Sequence, residues 1–109
     1  MLEQTIKKIE EKLQQLQLTD ENRCELSGLF QKLKNELGQL SETDHETAIS
    51  IAGFAERSTS EASREKTNPK LVELSVEGLK KSAEELSTSY PELVKTVNNI
   101  AMLLSDSGI

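Results

Sequence analysis

Cysteine is nearly missing from this chain: Cys24 is the only one, so no disulfide can close within a single copy. Large rings are almost as scarce. There is no tryptophan, and Phe30, Phe54 and Tyr90 stand beside one histidine, His45. Any core must therefore be aliphatic, and no site within one copy can use two imidazoles. The longest apolar run, Ile100 to Leu104, falls far short of the ~20 residues of a membrane-spanning helix. No membrane span is expected. Met1-Leu2-Glu3-Gln4 has neither a basic region nor an apolar core, so the expectation is a cytoplasmic protein without a secretory signal. Clustered positive charge is missing as well. The net charge is −6, with acids and bases interspersed, which argues against nucleic acid and against anionic membrane surfaces as partners. No phosphate-cradling glycine loop, Gly-x-Ser-x-Gly or Cys/His set is present, so neither an enzyme nor a cofactor is expected.

What is present is leucine at helical spacing. The 26 Leu, Ile and Val residues are too many for a disordered chain, and 109 residues make one domain, 1–109. Leu2, Ile6, Ile9, Leu13 and Leu16 step by four and three, which predicts a first helix over Leu2 to Gln17 with one apolar seam. Leu18 to Asn22 then breaks the phase, and Thr19 is suited to cap a second helix. Its seam is Leu26, Phe30, Leu33, Leu37 and Leu40. The slip in phase predicts an antiparallel hairpin over 1–41.

Residues 42–68 read as a small-residue helix and a polar linker. Asp44 can cap a helix starting at His45, with the stripe Ala48, Ala52, Ala55, Thr59 and Ala62. From Glu56 to Thr67 nearly every residue is polar, so this part is expected to project into solvent or be mobile, though its charges are spaced for a helix. Asn68 and Pro69 then open the last segment, 69–109, with Pro69 at the first helical position where its missing N–H is harmless. Val72, Val76, Leu79, Ala83, Leu86, Tyr90, Leu93, Val97, Ile100 and Leu104 continue in one phase through Pro91. Proline disfavours the helical conformation at Tyr90, and Ser89 with Glu92 would form a capping box. The unbroken phase favours a kink or an in-line restart over a reversal. Gly108 suits a helix end.

The C-terminal part, Leu86-Ser87-Thr88-Ser89-Tyr90-Pro91-Glu92-Leu93 followed by Val97, Ile100, Leu103, Leu104 and Gly108-Ile109, resembles a family of short uncharacterised bacterial helical proteins. The family is catalogued as a domain of unknown function. Its pattern reads Ser-His-Pro-x-Leu and closes on Gly-Ile. Tyr90 stands where the family usually has histidine. The segment from Glu42 to Asn68 looks like an addition to the shorter family pattern. The resemblance implies a small bacterial helical protein and brings no activity with it.

Candidate chemistry is sparse. Glu42 and His45 match the Glu-x-x-His pair of ferritin-like helices, and a dimer would supply a second copy. His45-Glu46-Thr47-Ala48-Ile49 starts like a zinc-protease helix but has Ile49 where the second histidine is required. Both residues are weak metal candidates, set in a polar break with no inward-facing partner carboxylate. Tyr90 and Pro91 offer a kink or a contact point for a partner, since an aromatic beside a fixed bend is a good anchor. The fold expected is all-α: a helical hairpin, a middle helix and a long Pro-kinked C-terminal helix in a coiled-coil-like bundle. Seams hard to cover within one chain point to a homodimer. The function expected is a non-enzymatic interaction or scaffold protein working through these seams on an unknown protein partner. The alternatives are a dimer-assembled metal-binding protein using Glu42 and His45, and a chaperone-like helper covering a client's helix.

Overall fold

Helix starts are set by short polar side chains. In the computed structural model, which describes residues 2–106, the Thr19 hydroxyl accepts the Asn22 N–H at 3.1 Å, and Asp44 accepts the Thr47 N–H at 3.1 Å. Asn68 accepts the Lys70 N–H at 3.0 Å, with Pro69 as the first helical residue. Each cap satisfies a backbone donor that the first turn leaves unpaired. Among the described residues there are five helices and no strand: α1 (Leu2–Leu13), α2 (Asp20–Thr43), α3 (His45–Ala62), α4 (Pro69–Glu84) and α5 (Pro91–Asp106). Gly108 and the Gly108-Ile109 ending lie outside the described residues.

Asp44 alone joins α2 to α3. It ends one helix through its N–H to the Leu40 carbonyl at 2.7 Å and caps the next with its side chain. The chain therefore turns back at once, and α2 and α3 pack side by side. Thr47 and Ser82 flank one cleft, so the start of α3 meets the end of α4. Pro69 and Ser105 flank another, so the start of α4 meets the end of α5. α5 closes on α2, where Tyr90 bonds to Thr43. α2 to α5 thus form an up-down-up-down ring of four. α1 runs back along α2 as the hairpin reading expected, but it packs far more on α3. It ends at Leu13 and not at Gln17, and one further turn still buries Leu16.

The long Pro-kinked C-terminal helix is corrected by this arrangement. A straight run from 69 to 106 would be about 57 Å long, whereas the molecule is 38 Å in its longest dimension. Residues 85–90 form a turn instead, with Tyr90 N–H to the Leu86 carbonyl at 2.7 Å, and α5 folds back onto α4. The unbroken phase misled because a helical hairpin buries the same face of both arms. The capping box at Ser89 does not form either. Tyr90 takes the cap position, its carbonyl accepting from Val94, and Glu92 reaches Lys32 on α2 at 3.7 Å.

The expected solvent projection is corrected for residues 56–62, since α3 continues to Ala62 with Ser58 and Thr59 fully buried, while Arg64 to Lys66 beyond it are exposed. Their hydroxyls donate to the carbonyls of Phe54 and Ala55, each at 2.8 Å, so neither is left unsatisfied. With those bonds made, Ser58 and Thr59 act as small residues beside Ala48, Ala52, Ala55 and Ala62. Small side chains let α3 lie close to α1, α2 and α4 together.

The core gathers Ile6, Ile9, Leu13 and Leu16 from the first segment and Leu26, Phe30, Leu33, Leu37 and Leu40 from α2. Val72, Val76, Leu79 and Ala83 join from α4, and Leu93, Val97, Ile100 and Leu104 from α5. Leu2, Leu86 and Tyr90 are half-buried at its edge. Each large aliphatic buried this way contributes roughly 1.5–3 kcal/mol. One chain covers these seams by itself.

Candidate functional site

Two places collect residues that chemistry or recognition could use. The first is the end of the bundle where α2 turns into α3. Ser41 Oγ and His45 Nδ1 share a hydrogen bond one turn apart. Asp44 accepts both the Thr47 N–H and, at 2.7 Å, the Thr47 hydroxyl. The hydroxyl, and then the backbone N–H, hold its carboxyl below its usual value by favouring the charged form. Thr43 donates its single hydroxyl proton to the Leu40 carbonyl at 3.2 Å, so Tyr90 is the donor in their 2.8 Å bond. Tyr90 therefore straps the α4–α5 turn to the end of α2.

Glu42 and His45 are both exposed here, and His45 spends Nδ1 on Ser41. Among the described residues no group of three or more His, Cys, Asp and Glu side chains is placed to hold an ion. Cys24 is exposed on α2, away from this corner. The caps and the strap account for the polar side chains gathered at this end. The Tyr90 hydroxyl is turned to its own chain, and the ring is half-buried against the core.

The second place is the outer surface of α3 and α4. Leu71 is 38% exposed, Leu74 54% and Phe54 39%. Leu71, Leu74 and Gly78 are spaced by three and four, so they share one face of α4. Phe54 comes from α3 and lays its ring on Gly78: a Cβ built there would meet the ring at 2.5 Å. The ring thus fills the place a side chain at 78 would take, and the three apolar groups form one strip across two helices. Met102, 60% exposed, stands separately on α5.

The seams read from spacing leave out Leu71 and Leu74, and Phe54 enters there only as one of three aromatic rings. The signal was there, since both leucines fall outside the Val72–Val76–Leu79 phase. Leucines off the buried phase of an amphipathic helix stay in water unless a partner covers them.

A family model described as a domain of unknown function, DUF4404, matches residues 26–109. The match takes in α2 from Leu26 onward and all of α3, α4 and the described α5, which is the four-helix ring. It spans 42–68, the segment that looked like an addition to the pattern, and it leaves α1 outside. No curated protein and no solved structure matches the chain. No helix among the described residues is long and apolar enough to cross a membrane.

Proposed function

The chain belongs to the DUF4404 family, a domain of unknown function, and on that premise we propose that it is a non-enzymatic interaction protein whose α3–α4 face receives the apolar side of another protein's helix. One observation carries the reading. Phe54, Leu71 and Leu74 make a continuous apolar strip on a molecule whose other large aliphatics are mostly buried. The strip lies on the outer face of two packed helices, α3 and α4, a surface on which an amphipathic helix lays its anchors. Its flanks carry both signs of charge, Arg57 and Glu61 on α3 and Lys70, Glu73, Glu77 and Lys81 on α4. A mixed rim around an apolar centre is the usual anatomy of a protein interface. The reading goes with a cytoplasmic protein, where a lone exposed thiol such as Cys24 stays reduced.

Leu71→Glu/Leu74→Glu is the test. Both positions are exposed, so the doubly substituted chain keeps its helical circular dichroism and unfolds within about 0.5 kcal/mol of the parent per site. Quantitative capture from the native lysate then loses one stoichiometric protein that the parent retains. Identical captured sets from both chains would refute the α3–α4 assignment.

A further inference from the structure

The ring formed by α2, α3, α4 and α5 closes without α1, and the family match covers the ring while leaving α1 out. α1 lies along α3, with the end of α1 beside the end of α3, and meets α2 only at its edge. Ile6, Ile9, Leu13 and Leu16 fall at i, i+3, i+7 and i+10 and are 4%, 0%, 3% and 1% exposed. This is how a groove receives an amphipathic helix. The polar links at the rim are Gln31 Nε2 to Glu10 Oε1 at 3.2 Å and the Arg23 guanidinium to the Leu16 carbonyl. A 12-residue helix is marginal in water by itself, so α1 depends on the groove for its form. Between Leu13 and Asp20 the chain is non-helical. Leu16 is itself an anchor, so the free tether is residues 17–19, which span about 10 Å when extended.

We infer that the α2–α3 groove is a helix-receiving site and that α1 of a second copy of this chain is its occupant in trans. Another copy's α1 brings the same four anchors, so exchange keeps every α1 contact and alters only the tether's backbone angles. α1 carries Glu3, Glu10 and Glu11 against Lys7, Lys8 and Lys12 and is neutral overall, while the whole chain stands at −6. The docked segment therefore adds no net charge to the groove, while the two −6 chains repel, which favours the two-chain form at higher ionic strength. Because the contacts are the same in both forms, protein concentration sets the balance between one copy and two. This surface is separate from the α3–α4 strip, and either can fail without the other.

The test uses full-length chains. Cys24→Ser removes the native thiol. Glu10→Cys and Gln31→Cys are then placed in different copies, with circular dichroism confirming that each is helical. A bismaleimide is chosen that couples the two positions within one doubly substituted chain, and it is added to the mixed pair. Exchange yields covalent two-chain species that rise steeply with protein concentration and exceed those from either variant alone several-fold. A mixed pair that stays uncoupled at every concentration, including after unfolding and refolding together, overturns the inference.

Discussion

Phe54 and Gly78 form the contact on which the exposed strip is built. Glycine inside a helix is about 1 kcal/mol less favourable than alanine. At Gly28, Gly38 and Gly53 an added Cβ meets nothing within 4 Å, so alanine there should recover most of that difference. At Gly78 the same Cβ lies 2.5 Å from the Phe54 ring, and the ring must swing away. Gly78→Ala is therefore expected to stabilise much less than Gly53→Ala, or to destabilise. In a Phe54→Ala background it should give the full gain. Urea unfolding of the four chains in this cycle reads the coupling directly, and additive effects would mean that the ring does not rest on Gly78. The same contact explains why a residue with so large a ring stays 39% exposed: it covers a notch and does not enter the core.

Helices are where the sequence was most readable, and also where it misled. Thr19, Asp44 and Asn68 mark three helix starts because a short polar side chain followed by a periodic run has a local cause, an unpaired N–H within reach. The all-helical class follows from the same local signals. The path of the chain does not. Val76 and Val97 share a heptad phase whether residues 85–90 bend gently or reverse, and only packing of α5 onto α4 and α2 distinguishes the two. Ser58 and Thr59 misled in another way, since their polarity is cancelled by bonds to their own helix.

The start of α3 carries a pH signature. Asp44 has its pKa lowered in the folded chain, so the stability it contributes is complete above the unfolded value near 3.8 and disappears as pH falls through the lower folded value. Asp44→Ala should therefore lower the Tm clearly at pH 6, with the gap to the parent narrowing below pH of about 4. Asp44→Asn keeps an acceptor without a titrating group and should lack that narrowing. A gap that is constant with pH would remove the carboxylate from the cap.

At the scale of the molecule, the molecule consists of a closed ring of four helices, a fifth helix seated on it, and one apolar strip left in water. The periodicity that draws attention in the sequence belongs to the core, which one chain completes alone. What distinguishes this surface from that of an inert bundle is carried by the leucines out of phase with it. Leu71 and Leu74 contribute little to folding where they stand, and on the proposed reading it is a partner's helix that covers them. A photo-reactive residue at position 74 in cells of the native organism, compared with one at the exposed Lys34 on α2, tests this most directly. The expected result is one discrete heavier adduct from position 74 that position 34 does not give. Equal adducts from both positions, or none from position 74, would contradict a partner on the α3–α4 face.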